Sequence, residues 1–134
     1  MTQAVCDSGA LDILPKLLGH VNKRIRKEVC WMISNIAAGT LLQVESLVEK
    51  GYLPILTRVL KEDEPDIKKE AIWAICNFTL VEKREYIHSN FENGILETIC
   101  TILKSSEPKY IAVGIESLGN LLNHGKKFPN QDGT

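Results

Sequence analysis

The sequence predicts an all-α superhelix, a right-handed solenoid of about three three-helix repeats that forms part of a longer array. Three observations carry that prediction. One ten-residue block recurs twice at nearly constant spacing. A second, unrelated block recurs at the same spacing. Each repeat also places a Gly, and a helix-opening Pro or Asn, at matching positions.

The first block reads GALDILPKLL at 9–18, GYLPILTRVL at 51–60 and GILETICTIL at 94–103, so the glycines are 42 and 43 residues apart. The second reads RKEVCWMISN at 26–35 and KKEAIWAICN at 68–77, with Asn120 in register a third time. A helical period of about 40–47 residues belongs to armadillo and HEAT arrays, whose units stack because none can bury its apolar face alone. The fold class is therefore all-α, of armadillo type. The units fall at 1–40, 41–82 and 83–124. Residues 125–134, with Gly125, Pro129, Asn130 and Gly133, lack periodicity and are expected to form a disordered tail.

Within each unit the order is a short helix, a Gly, a second helix, a polar loop and a long third helix. Gly9, Gly51 and Gly94 stand where a left-handed turn ends the first helix. Asn22 caps the third helix of the first unit, and Pro65 and Pro108 open the corresponding helices at a position where a missing N–H costs nothing. Only Met1 to Ser8 precede Gly9, whereas about eleven residues separate Gly39 from Gly51, so the first unit reads as truncated at its N-terminus. An array without polar capping units leaves apolar ends, and self-association through those ends is expected.

Function is expected on the third helices. At 100° per residue, Ile25, Val29, Ile33 and Ile36 form one core stripe, and Trp31 lies about 160° from Ile33 with Glu28 and Asn35 on its side. The second unit repeats this with Glu70, Trp73 and Asn77 opposite Ile67, Ala71, Ile75 and Phe78. Most tryptophans pack inward, yet a paired outward Trp with Asn four residues later is a poor core arrangement. An Asn amide both donates and accepts, so it can hold the backbone of an extended peptide. Adjacent indoles form slots for the carbon stems of Lys or Arg, with cation–π attraction on the ring faces and Glu28 and Glu70 meeting the charged ends. In the third unit Val113 and Glu116 replace the Glu and the Trp. That leaves Asn120 and Glu116 as the weaker candidates.

Composition narrows the alternatives. With 16 Lys and Arg against 17 Asp and Glu the formal net charge is −1, which argues against a general nucleic-acid surface. No apolar run is long enough for a membrane helix. Cys6, Cys30, Cys76 and Cys100 show no metal spacing and read as buried free thiols. His20, His88 and His124 are isolated from any nucleophile, so no catalytic residue, cofactor or metal is expected and the chain is not read as an enzyme. The basic run from Lys23 to Lys27 opens a helix and reads as a solvated face.

The pattern KExxWxx[SC]N at 27–35 and 69–77, followed by IAAG at 36–39, resembles importin-alpha over most of the chain. The resemblance is to the later armadillo repeats, around the minor binding site for nuclear localisation signals. It implies that Trp31 and Trp73 stack on basic side chains, Asn35 and Asn77 clamp peptide backbone, and Glu28 and Glu70 are the acidic partners. It also implies basic cargo peptides as partners and a life in cytoplasm and nucleus, with importin-beta and an export receptor bound through regions of the family not represented here. The rival expectation is a general armadillo scaffold, similar to beta-catenin, for non-basic partners.

Overall fold

The computed structural model describes residues 9–127, and the described residues are helical with no strand. A 3-10 turn, Ala10–Asp12, leads into α1 (Leu14–Leu17), α2 (Lys23–Ala37), α3 (Leu41–Glu49) and α4 (Tyr52–Glu62). These are followed by α5 (Pro65–Phe78), α6 (Arg84–Glu92), α7 (Ile95–Leu103) and α8 (Pro108–Lys127). The long helices α2, α5 and α8 stack as one layer, while α3 packs on α6 and α4 on α7. This is the expected armadillo-type solenoid. The segment before Gly9, on which the truncation of the first unit was argued, lies outside the described residues.

Local sequence sets the joints. Gly9, Gly51 and Gly94 have φ of 85°, 78° and 82°, the left-handed region that a side chain would strain. Asn22 accepts the Arg24 N–H at 2.9 Å, Thr40 and Gln43 form a reciprocal capping box, and Pro65 opens α5. One expected helix is broken: GALDILPKLL forms the 3-10 turn and the short α1 with Ile13 between them. Pro15, six residues past Gly9, lacks the N–H that a continuing helix needs there, whereas Pro54 sits in the first turn of α4, where N–H groups have no intrahelical partner.

The core runs unbroken through the units. Ile33, Leu47, Leu56, Ile67, Ile75, Phe78, Ile95 and Ile99 are sealed from solvent, each burial contributing about 1.5–3 kcal/mol. Polar joints hold the stack in register. Arg26 Nε lies 3.1 Å from Asp63 Oδ2 and its Nη2 lies 3.1 Å from Oδ1, while Nη1 donates to the carbonyls of His20 and Val21. Lys23 and Lys27 both reach Asp66, at 3.5 and 3.6 Å. Lys23, Arg24 and Lys27 of the basic run are exposed as expected, and the run also serves as an inter-unit clamp, because Asp63 before α5 and Asp66 in its first turn face the start of α2. Loss of solvent raises the Asp66 carboxyl, but the fields of Lys23 and Lys27 outweigh this and hold it below the usual carboxylate range. Its contribution to stability is present above the unfolded pKa and is lost as pH falls through the folded value.

Two further expectations are corrected. Helix α8 includes Lys127, so residues 125–127 are helical rather than tail. Residues 128–134 lie outside the described residues. Cys30 and Cys76 are buried as expected, but Cys100 is exposed, because its equivalent in the second unit, Thr57, is covered by Thr98 of the following unit and Cys100 has no such cover among the described residues. Burial pushes the Cys30 thiol up to about 12, aided by Glu70 and Asp63, and burial likewise raises Cys76. In dilute native protein at neutral pH, Cys100 is expected to react with an alkylating reagent at least tenfold faster than Cys30 or Cys76. Peptide mapping by mass spectrometry checks this, and Cys6 falls outside the comparison.

Candidate functional site

Helices α2 and α5 pack directly on each other, and each turns its apolar stripe inward. The residues opposite that stripe therefore share one outer face. Trp31 is 52% exposed and Trp73 46%, so both indoles stand half in solvent at the same register of neighbouring helices. For a residue type that buries most of its large surface this is an expensive placement, made in both of the first two units.

Around the indoles the partners are unequal. Glu28 is exposed and has no ion-pair partner among the described residues, whereas Glu70 is half-buried and held. The Ser34 hydroxyl lies 2.7 Å from the Trp31 carbonyl oxygen and 3.0 Å from Glu70 Oε2, so its single proton is shared between the two acceptors. That bridge links the first rung's backbone to the second rung's carboxylate. Asn35 is exposed and Asn77 half-buried, and neither amide makes a hydrogen bond within the described residues. Both are open to donate to and accept from a bound main chain.

The third unit does not complete the ladder. Asn120 donates from Nδ2 to Thr79 Oγ1 at 2.9 Å, which turns its amide into the joint between α5 and α8. Val113, at the position of Glu70, is buried. Glu116, at the position of Trp73, is exposed, with Oε2 3.9 Å from Cys76 Sγ and no cation beside it among the described residues. The face therefore carries two aromatic rungs followed by a carboxylate. Asp66 draws Lys23 and Lys27 toward the unit joint, which lowers the positive field near the rungs. The Ser34 bridge and this withdrawal of lysines were invisible to pattern reasoning. The only signal in the sequence was the small polar residue preceding Asn35.

No cluster of His, Cys, Asp and Glu among the described residues could hold a metal ion, and no described helix is long and apolar enough to cross a membrane. What the fold and its open face define is a repeat scaffold of armadillo type. The Armadillo/beta-catenin-like repeat family matches residues 1–38 and 42–80, more than half of the chain, and the chain belongs to that family. Its sequence is importin-alpha-like. It is 40% identical over 104 residues to importin subunit alpha-4 of Arabidopsis thaliana, covering 78% of this chain and 19% of that protein. It is 44% identical over 48 residues to importin subunit alpha-1a of Oryza sativa subsp. japonica, covering 35% of this chain and 9% of that one. The chain thus spans a fifth or less of these relatives. Among solved structures it is similar to a designed armadillo repeat protein in complex with the peptide (KR)4, with TM-score 0.78 and 29% identity over 90% of this chain and 50% of the other. It is also similar to computationally designed armadillo repeat proteins for modular peptide recognition, with TM-score 0.79 and 27% identity over 96% of this chain and 58% of the other.

Proposed function

We propose that this chain binds basic peptides in extended form, gripping their backbone with Asn35 and Asn77 and their Lys or Arg stems between Trp31 and Trp73, as part of an importin-alpha-type adaptor for nuclear localisation signals. The observation that carries the reading is the pair of half-exposed indoles in adjacent packed helices, beside free amides and carboxylates. Helices about 10 Å apart offer successive slots to side chains about three residues apart in a strand rising about 3.3 Å per residue. Each cation–π contact contributes about 1–2 kcal/mol, so two slots and a few hydrogen bonds give micromolar to millimolar affinity. Cytoplasm and nucleus are the compartments this role requires, and importin-beta and an export receptor are partners of the role rather than of the two rungs.

The rival is a general scaffold for non-basic partners, similar to beta-catenin-type proteins. A groove for acidic ligands needs Lys or Arg beside the rungs, whereas Glu28, Glu70 and Glu116 follow one another along the face here. Titration of Trp fluorescence with a peptide containing Lys-Lys-Arg-Lys, and with an acidic control of equal length, separates the two. Saturable quenching by the basic peptide alone is expected. Quenching by the acidic peptide alone would sink the adaptor reading.

Glu116 gives a finer test. A third basic side chain beyond the second slot meets a carboxylate instead of an indole, so Glu116→Lys is expected to weaken the basic peptide about three- to tenfold, with the loss shrinking as salt rises. A salt-independent change would place Glu116 outside the peptide path.

A further inference from the structure

The two joints between units use the same stations but carry different charges. In the first, Asp63 takes Arg26, and Asp66 takes Lys23 and Lys27. In the second, the stations of Arg26 and Lys27 hold Lys68 and Lys69 of α5, while those of Asp63 and Asp66 hold Ser106, just before α8, and Lys109 in its first turn. Helix α5 packs on α8 as α2 does on α5. The cations are kept and both carboxylates are gone. Lys68 and Lys69 are half-buried, and neither they nor Lys109 form an ion pair among the described residues. Glu70, next in sequence to Lys69, is held toward α2 by Ser34, and Glu107 is exposed. Lys109 Nζ lies 5.1 Å from the centre of the Tyr110 ring. Cations that share a joint without a counter-charge repel one another, and partial burial weakens the screening of that repulsion. An anion would relieve it.

The cluster borders the groove. Lys69 precedes Trp73 by four residues and Lys109 precedes Glu116 by seven, spacings that keep each pair on one helix face. One helical turn, about 5.4 Å, separates Lys69 from the second rung. We propose that Lys68, Lys69 and Lys109 form an anion subsite of that groove, which takes a single carboxylate or phosphate carried on the flank of a bound basic peptide. The proposal rests on the peptide-binding reading above and names its preferred ligands as basic stretches with an acidic or phosphorylated neighbour. The occupant has to be small and tethered. Glu28, Glu70 and Glu116 lie along the same face and repel a broad acidic surface. A residue one or two positions beyond a filled slot covers about 3–7 Å of extended chain, and the slots already hold it at high effective concentration.

Calorimetry tests it with peptides that carry Lys-Lys-Arg-Lys and, just beyond the run at one end or the other, Ser, Asp or phosphoserine. Relative to Ser, Asp is expected to tighten binding about threefold and phosphoserine about tenfold, at one end only and with the gain shrinking as salt rises. Lys69→Gln combined with Lys109→Gln is expected to abolish that gain at native helicity, while the Ser peptide binds at least as tightly as before because cations have left the groove. Arg58→Gln, which removes an exposed cation from α4 instead, is expected to keep the gain. If the Ser peptide binds and neither flank tightens it, the subsite is overturned while the peptide reading stands. The same follows if the gain comes equally from both ends or survives the paired lysine substitutions. If no basic peptide binds, with or without an acidic flank, both readings fall.

Discussion

Replacing Trp31 and Trp73 together with Ala is expected to weaken a basic peptide about 100-fold, the largest functional effect that any pair of substitutions on this face should produce. Each indole loses about 1–2 kcal/mol of cation–π and stacking contact, and about 1.4 kcal/mol is tenfold in affinity. Each single variant should therefore lose about tenfold, and the losses should add if the two slots take different side chains. Both rings are half in solvent, so stability should change by less than about 1 kcal/mol, far below the cost of emptying a core site. Calorimetry with the basic peptide reads the first effect and urea unfolding the second. A double variant that binds within threefold of the parent, at unchanged helicity, would mean that the peptide does not enter the slots. Asn35→Ala and Asn77→Ala add a contrast: they should weaken basic and neutral extended peptides alike, because an amide reads main chain and not charge.

Much of this architecture was legible because the repeat made each reading testable against its copy. Gly9, Gly51 and Gly94 announced their left-handed turns, and the outward register of Trp31 was believable only because Trp73 repeated it. What escaped the pattern is what depends on contact between units. Arg26 and Asp63 are 37 residues apart, and Ser34 and Glu70 are 36 apart, separations that mean neighbours only once the stacking of α2 on α5 is known. Asn120 shows the limit most clearly. It keeps the register of Asn35 and Asn77, but Thr79 at the end of α5 offers its amide a partner inside the protein. The equivalent of Thr79 one unit earlier is Ala37, which carries no such hydroxyl for Asn77. The break at Pro15 escaped for a different reason: the helix was expected from its register with the equivalent blocks of the other two units, and register does not show a missing N–H.

The largest expected loss of stability belongs to Tyr52, which ties the first unit to the second. Its ring is fully buried at the start of α4, and its hydroxyl donates to the carbonyl of Leu11 in the 3-10 turn. Tyr52→Ala removes the ring, opens a cavity and orphans that carbonyl, for an expected cost of about 3–5 kcal/mol. Tyr52→Phe keeps the ring and removes only the donor, at about 1–2 kcal/mol. Urea unfolding of the two variants separates packing from hydrogen bonding. In a stacked array, stability is the sum of unit terms and the joints between neighbours, so the damage should be local. Hydrogen exchange in Tyr52→Ala should show protection lost first from the amides of residues 10–18, with α7 and α8 nearly unchanged. An equal fall in protection across all three units would mean that the stack melts as a single block, and the additive account of its stability would have to be abandoned.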